Sequence, residues 1–269
     1  MQVDEENKNQ APIVDHADLD SDEEKERKEE EENKSESKIV FNEAGLAEIA
    51  KGVPAHIVFL SGHHAQTLFK ILYSEKWTEI ATGESTQKEK TETTLKIFAW
   101  HQDNEVFYFV NIETEKIKLG YVNQLIASFF SQVGKVGQIV VLNDSFKMKY
   151  PDLGSLPSEG LAIRTHKSSH VSGDAAKALF SKIGEPAHFM FATGGIGAAA
   201  LIHAEFNGLH AFQATVLIEG HYVSSESMQA FAPIVEHLGL KVDLAQIAKY
   251  KGFKTVLREA NNRGNSIYS

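Results

Sequence analysis

His56-Ile57-Val58-Phe59-Leu60 is a short apolar run, and Ser61-Gly62-His63-His64 follows it. Its length and composition suit a buried strand. Leu68, Phe69, Leu72 and Tyr73 then recur at helical spacing. The stretch therefore reads as strand, glycine turn, helix, the unit from which α/β domains are built.

The same alternation continues outward. Gln138-Ile139-Val140-Val141-Leu142 reads as a second buried strand, and 211–218 as another. His188-Phe189-Met190-Phe191-Ala192 is strand-like, and 161–165 suits a further strand. Residues 93–100 and 105–112 are rich in aromatic and β-branched side chains. Gln102-Asp103-Asn104 joins them, which predicts an antiparallel hairpin. Ile117, Tyr121, Leu125, Ile126 and Phe129 predict a helix ending near Gly134. Further helices are expected over 175–183 and 198–206. Another starts at Ser224 or Ser225, with Met228, Phe231, Val235 and Leu238 as one apolar stripe. A last helix runs from about Asp243, with Leu244, Ile247 and Ala248 inward. Residues 144–158 read as a long loop. The expectation is a single α/β domain over 39–263, with a mostly parallel central sheet flanked by helices plus the antiparallel hairpin.

Charge separates the ends from this body. Residues 1–38 hold 15 Asp and Glu against 6 Lys and Arg, most of the chain's net charge of −10. With few apolar groups to offset the ordering entropy, they read as a disordered acidic tail. The remainder is close to neutral, so no basic face for nucleic acid is implied. The absence of cysteine excludes disulfides, thiolate metal sites and cysteine nucleophiles. No stretch approaches the ~20 apolar residues of a membrane span, and the acidic start lacks a signal-peptide core. A cytoplasmic or nucleocytoplasmic protein is expected.

Two motifs invite chemistry. Gly195-Ile196-Gly197-Ala198-Ala199-Ala200 matches G-x-G-x-x-A after a predicted strand, and Glu219 ends the next one, where a ribose-binding acid would sit. A dinucleotide-dependent enzyme is the alternative reading of the chain. Against it, the motif lies late, and glycines at strand-to-helix turns commonly serve steric needs. His63-His64 cannot readily chelate one metal, because adjacent helical residues do not share a face. His188, His203 and His237 read as packing or surface groups. No H-E-x-x-H, G-x-S-x-G or P-loop pattern occurs.

The sequence ends in Ile267-Tyr268-Ser269, preceded by the polar, glycine-containing Asn261-Asn262-Arg263-Gly264-Asn265-Ser266. Residues 264–269 read as a flexible C-terminal docking tail. An apolar residue, a tyrosine and a free carboxylate on a mobile leash suit chain-end capture by another protein.

With these features in view, the sequence resembles the family of proteasome assembly chaperone 1. The resemblance rests on Gly154-Ser155-Leu156-Pro157-Ser158, on 214–218 leading to Glu226 and Ala230-Phe231-Ala232-Pro233-Ile234, and on Asn265-Ser266-Ile267-Tyr268-Ser269. It covers about 154–269, is weaker over 39–150 and is absent from the acidic tail. It implies an α/β domain without catalysis, metal or cofactor. It also implies a heterodimer with a second, related assembly chaperone, held against the α ring of the 20S proteasome. Ile267, Tyr268 and Ser269 would then form the hydrophobic-Tyr-X (HbYX) motif that enters pockets between α subunits. The glycine turn would be a relic of the fold.

Overall fold

The computed structural model describes residues 36–87, 90–113, 119–146, 163–188, 195–218, 223, 225–243 and 245. The first half contains β1 (Glu36–Phe41), α1 (Glu43–Ala50), β2 (Ala55–Leu60), α2 (His63–Tyr73), β3 (Thr78–Gln87), β4 (Lys90–Gln102), β5 (Glu105–Ile112) and α3 (Leu119–Gln132). The second contains β6 (Val136–Phe146), β7 (Ile163–Lys167), α4 (Asp174–Ile183), β8 (Ala187–His188), α5 (Ile196–Phe206), β9 (Ala211–Ile218), α6 (Ser225–Gln229) and α7 (Ala232–His237). The acidic tail up to Ser35 and the Ile267-Tyr268-Ser269 end lie outside the described residues, as does most of the expected last helix.

Among the described residues the nine strands form one sheet, in the order β1-β3-β4-β5-β2-β6-β9-β7-β8. The quoted strand β2 sits in the middle, parallel to β5 on one side and to β6 on the other. β9 extends the parallel centre beyond β6. Alternate residues of these strands enter opposite faces. Ile57, Phe59, Ile139 and Val141 enter one face, where Leu125, Phe129, Ala200 and Leu201 of α3 and α5 cover them. Val58, Leu60, Val140 and Leu142 enter the other, against Leu68 and Phe69 of α2 and the apolar sides of α4, α6 and α7. The expected single α/β domain, with a parallel centre flanked by helices, is what folds.

The antiparallel part is larger than one hairpin. β4 and β5 pair as predicted, and Asp103 and Asn104 turn the chain at φ 49° and 70°. That left-handed pair is the two-residue turn whose twist matches the strands. β3 pairs with β4, and β1 with β3, completing an antiparallel meander. β3 escapes sequence reading because Thr-Glu-Ile-Ala-Thr-Gly-Glu-Ser-Thr-Gln carries only Ile80 and Ala81 as buried apolar residues. At the other end β7 runs antiparallel to β9. β1 begins at Glu36, so its first three residues fall in the stretch read as acidic tail.

Two expectations about elements change. The stripe Met228, Phe231, Val235 and Leu238 is buried as predicted, but across two short helices and the caps of the second rather than along one helix. Pro233 cannot continue a helix from Gln229, because its ring would meet that carbonyl and it has no N–H. It sits instead in the first turn of α7, where neither matters. The loop expected from residue 144 starts later, since β6 continues to Phe146.

Candidate functional site

β2 ends beside Leu142 of β6, which runs on past it, and the glycine turn after β2 leads into α2. Gly62 is the N-cap of α2 and has no side chain to accept a first-turn N–H. Asp144 of β6 does this instead. Its Oδ2 accepts the backbone N–H of His64 at 2.8 Å and lies 2.7 Å from His64 Nδ1. An N-cap acceptor normally comes from the helix's own chain entry; here it reaches across from the neighbouring strand. Gly62 is required for this approach. A Cβ there would collide with the Asp144 backbone nitrogen and lie 2.6 Å from Asp144 Cγ.

The electrostatics follow from the geometry. Burial pushes the Asp144 carboxyl up, but the side-chain hydrogen bond from His64, its positive charge and its backbone N–H outweigh that, with a further contribution from His63. The net result lies below the usual carboxylate range. The His64 ring is buried at 1% exposure. This Asp–His pair has the form of a catalytic dyad, but it ties strand to helix and holds its imidazole inside the fold. Sequence reading placed Asp144 in a loop, so the pair was missed. Only the parallel placement of β2 beside β6 brings the two residues together.

The glycine motif is explained by packing. Gly195 has φ 83°, which favours glycine. A Cβ on Gly197 would stand 2.6 Å from Gln213 Oε1 and 3.1 Å from Val141 Cγ1. The second glycine therefore faces the sheet rather than a pyrophosphate. Ile196 beside it closes an apolar pocket with Phe59, Leu95, Ile97 and Phe129 that has no room for a water molecule. The surroundings also differ from a dinucleotide fold. β8, before the turn, is an edge strand, parallel to β7, which itself opposes β9. β8 and β9 thus run in opposite directions, whereas the fingerprint belongs to a parallel βαβ unit. Glu219 lies outside the described residues.

The remaining candidates separate in space. His203 on α5 stacks on Phe130 of α3 at 4.2 Å, and burial lowers its pKa. His237 packs edge-on to Phe212, with its pKa lowered by burial as well. His188 lies in β8. Among the described residues no group of three or more His, Asp or Glu is placed to hold a metal ion. No helix among them is long and apolar enough to cross a membrane. Ile267, Tyr268 and Ser269 cannot be placed against these features, being outside the described residues. The chain leading towards them is fastened at the rim of β4 and α2. Gln102 Nε2 donates to Gly239 O at 2.9 Å, and Tyr73 Oη to Lys241 O at 2.8 Å.

No protein-family model matches the chain, and no curated protein matches its sequence. Solved structures do match its fold. Among them is PbaA of Pyrococcus furiosus, described as an archaeal homolog of proteasome-assembly chaperone. It is 11% identical, with a TM-score of 0.57 over 86% of this chain and 97% of that one. PbaB of the same organism, described as an archaeal proteasome activator, matches at 15% identity and a TM-score of 0.53, over 83% and 98%. A Thermoplasma acidophilum protein of unknown function matches at 14% and 0.52, over 85% and 96%. What the chain shares with them is an α/β fold, and two of the three are described in proteasome terms. At these identities the likeness is one of fold.

Proposed function

We propose that this chain is an assembly chaperone of the 20S proteasome that performs no reaction. It pairs with a second, related assembly chaperone and holds the outer face of the forming α ring with its folded body. Its C-terminal Ile267, Tyr268 and Ser269 enter a pocket between neighbouring α subunits. Ile267 lies against the apolar wall, Tyr268 fills the slot, and Ser269 supplies the carboxylate. The site of action is cytoplasmic or nucleocytoplasmic.

The observation that supports this reading is the fold shared with PbaA and PbaB over nearly their whole lengths. Fold alone does not carry function; the apolar-Tyr-X ending of the sequence adds a specific means of attachment. Tethering makes the tail's binding effectively intramolecular, which multiplies a weak body contact by ~10²-fold or more. The alternative dinucleotide enzyme loses its main support, because Gly197 faces the sheet.

The test is binding to isolated α-ring assembly intermediates. Tyr268→Ala should weaken binding by roughly 2 kcal/mol, about thirtyfold, as loss of a hot-spot tyrosine does. One residue added after Ser269 should be equally damaging, because it moves the carboxylate out of register. The reading fails if both variants bind the intermediates as the parent does.

A further inference from the structure

The meander strands β1, β3 and β4 have one face under α1 and α3 and one face open. Ile39, Phe41, Leu95 and Ile97 enter the covered face. Their neighbours point the other way, and Val40, Thr82 and Lys96 stand there in one row. Val40 is 40% exposed. Phe98, next along β4 on that face, lies 4.9 Å from Trp77, ring to ring. Both rings pack against the core that holds Phe109 and Trp100, yet both are only partly buried. Trp77 Nε1 is buried and has no acceptor among the described residues. An antiparallel sheet often leaves one face to water. A phenylalanine beside a tryptophan is apolar surface that gains by being covered.

The chain itself runs towards this strip. Gly239 O is held by Gln102, at the end of β4. Lys241 O is held by Tyr73, whose ring lies 4.9 Å from that of Trp100. Val242 packs against the same cluster. The path thus follows β4 back from Gln102 to Trp100, and Phe98 and Lys96 come next along it. We propose that residues 244–251 continue on that path as two helical turns and cover the strip. Leu244 and Ile247 then lie on Trp77 and Phe98, with Ala248 towards Lys96. Leu244, Ile247, Ala248 and Lys251 share one helical face. Ala245, which falls off that face, is helical and exposed. Eight helical residues span about 12 Å, and β4 rises about 13 Å from Trp100 to Lys96. So short a helix holds in water only if its apolar face is packed. A segment joined through Val242 meets the strip at an effective concentration in the millimolar range, ahead of any separate molecule. Gly252 then lets the chain turn away. The docking does not rest on the chaperone reading. Under that reading it fixes the root of the leash that carries Ile267, Tyr268 and Ser269.

The chain has no cysteine, so introduced ones report alone. In the full chain, Lys96→Cys should react slowly with maleimide. Adding Leu244→Glu and Ile247→Glu should speed that reaction at least ~10-fold in a chain that still unfolds cooperatively. Lys96→Cys combined with Ala248→Cys should cross-link within one chain through a short bismaleimide. Combined with Tyr250→Cys, on the opposite side of the helix, it should not. Equal maleimide rates with and without the glutamates overturn the proposal, as does an Ala248→Cys pair that never cross-links. Protection that grows with protein concentration, or cross-links only between chains, also overturns it, because then a second copy covers the strip.

Discussion

Asp144 and His64 lie 80 residues apart in sequence, yet Asp144 Oδ2 accepts the backbone N–H of His64 at 2.8 Å and lies 2.7 Å from its Nδ1. One carboxylate oxygen thus caps α2 and fixes the ring of the second residue of that helix. It also joins the central strands β2 and β6 through the glycine turn between β2 and α2. Removing this carboxylate leaves a buried imidazole and a first-turn N–H without their acceptor. Asp144→Ala should therefore lower the unfolding free energy by about 3 kcal/mol, read as a lower urea midpoint at unchanged m-value.

The same carboxylate predicts an acid limb. Its folded-state pKa is depressed, against about 3.9 when unfolded. The contribution is therefore complete above the unfolded value and is lost as pH falls through the folded one. In Asp144→Asn, which cannot ionise, the fall in stability below about pH 4 should be shallower than in the parent. Equal acid slopes in parent and variant would show that other carboxylates govern acid unfolding.

An alkaline limb should come from Tyr73 and Tyr108. Burial pushes both hydroxyls up, Tyr108 to about 12 with help from the charge of Glu48. A raised pKa means that stability is fully present below the unfolded value of about 10 and declines as pH rises past it. Tyr73→Phe removes one of these ionisations and the hydrogen bond to Lys241 O. It should lower stability by about 1 kcal/mol at neutral pH while making the alkaline decline less steep, measured by thermal unfolding at a series of pH values.

Gly197→Val tests the reading of the glycine motif. The added side chain must displace Gln213, which is 1% exposed, and Val141, which is fully buried. Overpacking of this kind costs about 1–3 kcal/mol, so the melting temperature should fall by several degrees. NAD, NADP and nucleosides should leave the melting temperature of the parent unchanged. A rise with any of them that Gly197→Val abolishes would restore the enzyme reading.

Phe109 is the centre of the aromatic cluster, with ring centroids 5.2 Å from Phe69, 5.5 Å from Trp77 and 6.0 Å from Trp100. Phe109→Ala opens a cavity that rigid rings on several sides cannot close. The expected loss is about 3–5 kcal/mol, with a changed near-ultraviolet dichroism from the two tryptophans.

The sequence by itself determined the elements whose signal is local. The apolar runs of β2, β6 and β9 read correctly because a strand buried on both faces draws mostly apolar residues along its length, with few polar exceptions such as Gln213 and Thr215 of β9. The β4–β5 hairpin read correctly because Asp103 and Asn104 tolerate the left-handed turn. The apolar-Tyr-X ending is likewise a property of consecutive residues, legible without any fold. Tertiary structure alone decided what depends on neighbours distant in sequence. β3 is a strand because β1 and β4 satisfy its backbone, not because its side chains demand it. Gly197 is a packing glycine because Gln213 lies beneath it, while a motif pattern records only spacing. Asp144 caps α2 because parallel pairing sets the end of β2 beside Leu142, two residues before Asp144 in β6. Hydrogen bonds and close contacts act over a few ångströms of space, and only the folded chain sets which residues are that near.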